Sequence, residues 1–161
     1  MRRLLLLVAV IACGAGVVSA QNGSISISSD IGATDCGFVD AGGLVQVFVW
    51  HVNTPGATAS EWMLDVTPAV WTHLGDTADF DLVVGTSVTG ASVSYEVCLQ
   101  GTFKLMTVNF FGSNTAPCTQ IGIVAAPGKS GVRAVDCAEH AVYVPGGVGI
   151  ANPDASCPCP G

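Results

Sequence analysis

Apolar and polar residues alternate with a period of two along most of this chain, and helical periodicity is hard to find. Ser24 to Ser29 alternates serine with isoleucine and predicts a first strand. Leu44 to Val52 sets Val45, Val47 and Val49 on one side and Phe48 and Trp50 on the other; with both faces largely apolar, this strand is expected to be central. A turn is expected at Asn53-Thr54-Pro55-Gly56. Ser60 to Val66 then points Trp62, Leu64 and Val66 inward and leaves Glu61, Met63 and Asp65 on a wet face. Shorter β-prone runs follow at Asp81 to Val84, Ala91 to Leu99, Phe103 to Phe111, Ile121 to Val124, Val132 to Val135, Ala141 to Val144 and Val148 to Ile150, divided by Pro and Gly clusters. About nine or ten strands, each with an apolar face to hide, predict an all-β fold: a single antiparallel β-sandwich.

The first twenty residues depart from this pattern. Arg2 and Arg3 precede an apolar run from Leu4 to Ala12, and Val18-Ser19-Ala20 supplies the small residues a signal peptidase requires. Residues 1–20 are therefore read as a signal peptide and 21–161 as one sandwich domain, with an irregular tail over 151–161. The leading run is too short for a bilayer core, which needs about 20 apolar residues, and no later segment qualifies as transmembrane. Val10-Ile11-Ala12-Cys13 offers a competing reading as the lipobox of a bacterial lipoprotein, with Cys13 lipidated. The expected location is secreted or at the cell surface, in a bacterium.

Half of the residues are hydrophobic and only 11% are charged, which excludes a disordered chain. Once Arg2 and Arg3 leave, Lys104, Lys129 and Arg133 face twelve acidic side chains, a net of −9. Nucleic acid and anionic membrane surfaces are poor partners for such a chain.

Of the seven cysteines, Cys13 lies in the signal segment and six remain: Cys36, Cys98, Cys118, Cys137, Cys157 and Cys159. An even count in an exported chain reads as disulfides, with the pairing open. Cys157-Pro158-Cys159 is not the C-x-x-C of a thioredoxin-like site, and no helix follows to lower a thiol pKa. These two cysteines are expected to staple the tail onto the body.

Candidate chemistry is sparse. His51, His73 and His140 lack any metal-binding spacing. Asp76, Asp79 and Asp81, expected in a loop, repel one another in a way Ca²⁺ would relieve, though the central Gly and terminal Glu of an EF-hand are missing; Ca²⁺ is the one cofactor considered. Trp62 and Tyr95 fall on apolar faces and belong to the core, whereas Trp50 and Trp71 are the candidates for exposed ligand-binding rings. Gly85-Thr86-Ser87-Val88-Thr89 lacks the last Gly of a nucleophile elbow, and Gly146-Gly147-Val148-Gly149 precedes no helix and is expected to form a hairpin turn. No catalytic residue is assigned.

The long strand ending in His51-Val52-Asn53, the Pro-Gly turn, the strand Trp62 to Pro68, the late Leu105 to Phe111 strand and the closing segment from Asp136 to Ile150 together resemble cohesin modules and related carbohydrate-binding β-sandwiches. The resemblance spans most of residues 21–161. It implies a non-catalytic sandwich; the six cysteines depart from ordinary cohesins, so dockerin binding is not carried over. The chain is also similar to small exported proteins of environmental bacteria, which implies a fold and no function. The leading expectation is a secreted, non-catalytic sandwich acting by surface contact, in adhesion, matrix or assembly, on an extracellular protein or polysaccharide. A carbohydrate-binding module and a small secreted hydrolase are the alternatives.

Overall fold

The computed structural model describes residues 22–159; the expected signal peptide and Cys13 lie outside them. Ten strands follow in order: β1 (Ser24–Ser28), β2 (Gly37–Phe38), β3 (Gly43–Asp65), β4 (Trp71–Ala78), β5 (Leu82–Thr86), β6 (Gly90–Gly112), β7 (Thr119–Val124), β8 (Arg133–Asp136), β9 (Ala141–Tyr143) and β10 (Val148–Ala151). None of the described residues is helical.

Two 23-residue strands, β3 and β6, organise everything else by pairing antiparallel from Gly43 opposite Gly112 to Trp62 opposite Ala91. On its other edge β3 carries β1, then β8 with β9 outside it, and finally β7 through Met63 to Asp65. β7 continues to β10 and β2. The free edge of β6 is lined in succession by β4 and β5. All these pairings are antiparallel except β10 with β2, which is parallel.

The sequence pattern places most strands but divides β3 and β6 in two. The expected turn at Asn53 to Gly56 is instead a run of bulges inside a continuous β3, with register shifts from His51 to Ala59. Asn53 takes the left-handed φ of 52° and Gly56 a φ of 157°, while Thr54 still pairs with Gly101 of β6. Pro55 has no N–H to give a ladder, and a bulge is where a strand tolerates that. β6 kinks alongside, with Glu96 and Gly101 also at positive φ, so the two strands bend together.

The Gly146-Gly147 segment is likewise not a hairpin turn. The Ile25 N–H donates to Pro145 O, Gly147 N–H donates to Ile25 O, and Ile123 N–H donates to Gly147 O. The segment thus stitches β1 to β7, and a Cβ on Gly147 would run into Ser26. Glycine is required there because two backbones meet without room for a side chain.

Between the layers lies one apolar core. Trp62, Phe38, Phe110, Ile25, Leu64 and Leu105 are its largest fully buried side chains. Asp40 and His51 are buried with it. Asp40, 3% exposed, accepts N–H groups of Gly42 (3.0 Å) and Asn114 (3.2 Å) on Oδ1, and Trp71 Nε1–H (2.9 Å) and Thr115 N–H (2.8 Å) on Oδ2. Burial works to raise its pKa, but the hydrogen bonds from Thr115, Gly42 and Trp71 outweigh that and hold the carboxyl well below its usual range.

His51 is fully buried, its Nδ1 3.1 Å from the Tyr95 hydroxyl and its ring 5.5 Å from that of Phe103. Burial pushes its pKa below the ordinary 6.5, and the Asn22 carbonyl offsets only part of this. The unfolded chain therefore binds a proton that the folded chain refuses. Stability is full above the ordinary histidine value and falls as pH drops through that value toward the lower folded one. Thermal melts from about pH 8 to about pH 5 should show this fall, and His51→Phe should flatten it.

Candidate functional site

The residues singled out in the sequence mostly serve the fold. Trp50, expected to be exposed, is 9% exposed and lies along β1, with its Nε1–H donating to Ser28 Oγ at 2.8 Å. Trp71 is on β4 and not in a turn, half-buried against Phe38 and Phe110 and bonded to Asp40. These two rings therefore make no exposed row. The bulge at Val49/Trp50 and the ordering of β4 were invisible to a simple alternation count.

The three aspartates are also split up. Asp76 belongs to β4, where its carboxylate bonds His73 Nε2 (2.8 Å), Ser87 N–H (2.7 Å) and Ser87 Oγ (2.7 Å). Asp79 pairs with Lys104 Nζ at 3.4 Å. Among the described residues, the group of three potential metal ligands that does converge is Cys118, Asp154 and Cys157, whose two thiols are joined to each other. His73, Asp76 and Ser87 contain the residue types of a hydrolase triad in the wrong order. The carboxylate sits between the other two, and the Ser87 hydroxyl is wholly buried and donates to Asp76. No base reaches Ser87 from this histidine, so the arrangement ties β4 to the β5–β6 turn without activating a nucleophile.

The six cysteines form three disulfides: Cys36 with Cys159, Cys98 with Cys137, and Cys118 with Cys157. The two tail cysteines are thus fixed to points just before β2 and just before β7. Cys98–Cys137 joins the kinked stretch of β6 to the end of β8, and Gly56 of the β3 bulge packs on it.

A surface site emerges where β9, β8, β3, β6 and β5 lie side by side. A groove of about 350 Å³ runs over this face, its lining drawn from all five strands. The floor is set by small residues, Ala59, Ser92 and Ser94, which leave room above the sheet. Leu82 and Val84 of β5, 56% and 66% exposed, form one wall. Glu61 and Arg133 form part of the other, paired through Arg133 Nη2 and Glu61 Oε2. Lys129 Nζ adds a second contact, 3.2 Å from Glu61 Oε1. Burial acts to raise the Glu61 pKa, but Arg133 and Lys129 together lower it. Tyr143, 63% exposed, stands opposite Arg133 in the β8–β9 pair and its hydroxyl meets Ser130 Oγ at 2.6 Å.

The charge distribution makes this face unlike the rest. Two of the three cations that follow residue 20 sit here around one carboxylate, leaving a local excess of +1 on a chain whose net charge is strongly negative. The groove offers apolar area and a guanidinium, with the exposed Tyr143 beside that guanidinium on β9, and such side chains contribute most at protein interfaces. Two signals could have found it: the unbroken Leu82-Val83-Val84 run, which leaves apolar side chains on the outer face, and the crowding of Lys129 and Arg133 into five residues.

No family model and no curated protein matches the chain. Among solved structures it is similar to a cohesin module from a family 33 glycoside hydrolase of Clostridium perfringens, at a TM-score of 0.55 and 9% identity over 82% of this chain and 98% of that one. It is also similar to a non-cellulosomal cohesin from the hyperthermophilic archaeon Archaeoglobus fulgidus, at a TM-score of 0.52 and 14% identity over 80% of this chain and 89% of that one. The fold is therefore a cohesin-like β-sandwich, here carrying three disulfides.

Proposed function

We propose that the protein is an extracellular, non-catalytic docking module that binds another protein through the groove on the β9-β8-β3-β6-β5 face. The observation that carries this reading is the groove itself: apolar walls at Leu82 and Val84 beside the positive corner of Arg133 and Lys129. The partner that fits is a protein presenting an apolar ridge with a carboxylate at its flank. Three disulfides suit an oxidising compartment, and the cohesin-like fold suits a role in surface contact. The burial of Trp50 and the engagement of Trp71 with Asp40 give no platform for stacking sugars.

A photo-crosslinking residue at Val84, introduced into the protein in its native culture, should yield a discrete adduct with a protein other than a second copy of this chain. The same residue at Thr77, exposed on β4 and away from the groove, should yield none. Arg133→Glu should reduce the Val84 adduct about 10-fold by putting like charges together. Equal adducts from both positions, or none from Val84, would overturn the reading.

A further inference from the structure

β5 is an edge strand of an unusual kind. Its inner edge pairs with β6 from Leu82 opposite Ser94 to Thr86 opposite Gly90, without a register shift, and among the described residues no strand lies along its outer edge. The N–H and C=O groups on that side are open donors and acceptors. Edge strands are ordinarily shielded by a charge, a proline or a bulge, because an open ladder recruits another strand. Leu82-Val83-Val84-Gly85-Thr86 has none of these. β4, on the same side of β6, is protected by contrast: a register shift interrupts it at His73/Gly75, and it carries the His73–Asp76 pair.

We infer that β5 pairs antiparallel with β5 of a second copy of this chain, about a two-fold axis through Val84. In that register Val84 faces itself, Val83 faces Gly85 of the second copy, and Leu82 faces its Thr86. Two copies of so acidic a chain repel over most of their surface, but β5 contains no charge. The nearest carboxylate, Asp81, falls opposite Ser87 of the second copy, so no acidic side chains are set against each other. The open backbone edge identifies the occupant as a strand, and this self-complementary, charge-free register identifies it as another β5. Pairing in this way makes the five-strand face of one copy continuous with that of the other and brings the two grooves together across the axis.

A five-residue interface is small, so the dimer should be weak and reversible, with a Kd between about 10 μM and about 1 mM. Sedimentation equilibrium of the purified chain over that range should show monomer and dimer exchanging. Val84→Lys and Val84→Glu each place like charges against each other on the axis and should weaken dimerisation at least about 10-fold. Mixing the two variants should restore it, because in this register position 84 meets only position 84. Circular dichroism melts matching the unsubstituted protein would show that both variants, changed at an exposed position, remain folded. A chain that stays monomeric at the top of the range, a dimer that survives either substitution, or a mixture that fails to recover would each overturn the inference. Only the purified chain is used, so the result is independent of the docking partner proposed above.

Discussion

Asp40→Ala should cost about 3–5 kcal/mol of folding stability, measured as a drop in the urea midpoint. The carboxylate has no cation partner in the hydrogen-bond network described above; it is held by four donors drawn from three parts of the chain. Removing it strands Trp71 Nε1–H and the Thr115 N–H in a buried site, and each unsatisfied buried donor costs about 1–3 kcal/mol. Asp40→Asn should recover part of the loss, since its one carbonyl oxygen can still accept two of the four bonds. The same group sets an acid limit. Its folded pKa lies below its unfolded value of 3.8, so its contribution is complete above that value and is lost as pH falls toward the folded one. Asp40→Asn should therefore lose stability more gradually than the unsubstituted protein below about pH 4.

The paired substitution Cys98→Ser with Cys137→Ser should remove about 4 kcal/mol, the chain-entropy value for its loop. The separation of 39 residues is moderate, but the bond joins the β6 kink to the β8–β9 hairpin and backs Gly56 of the β3 bulge. A steeper urea dependence should accompany the lower midpoint, because the unfolded chain exposes more surface once the crosslink is gone. A loss below about 1 kcal/mol would show that strand pairing alone holds the groove face together.

How far the fold could be read from the sequence depended on whether each strand kept its rhythm. Ser60 to Val66 alternates cleanly, with Trp62 and Leu64 buried as that requires; in Ala91 to Leu99 the alternation holds for Val93 and Tyr95 but fails past the positive φ at Glu96, where Val97 is 59% exposed. β4 escaped notice because a register shift and Gly75 break its pattern within eight residues. β3 and β6 were divided because Pro55-Gly56 and Gly101 mark bulges as readily as they mark turns, and only the cross-strand partner distinguishes the two. The site was harder to read for a different reason. Trp50 and Trp71 have the chemistry of ligand-binding rings, but whether a ring is exposed depends on which distant residue takes its N–H: Ser28 for one, Asp40 for the other. The acidic side chains likewise take partners that spacing does not reveal. Asp30 accepts the N–H groups of Gly32, Thr34 and Asp35, which lower its pKa to about 2, and Asp136 caps its own turn through Ala138 and His140. Spacing alone made Asp76, Asp79 and Asp81 a group, while Asp76 is taken up by His73 and Ser87 and Asp79 by Lys104.

The order in which the cysteines pair has a consequence for how the chain matures. Numbering the six cysteines from Cys36 onward, the bonds run first to sixth, second to fourth and third to fifth, so none of the six joins its neighbour. A polypeptide emerging from its N-terminus presents Cys36, Cys98 and Cys118 before any correct partner exists, and every bond available to those three at that stage is a wrong one. Cys36 waits longest, for a residue 123 positions away. Oxidation that keeps pace with emergence would therefore trap scrambled species. Productive maturation requires either that β3 and β6 zip together while the thiols are still reduced, or that a disulfide isomerase reshuffles the early bonds.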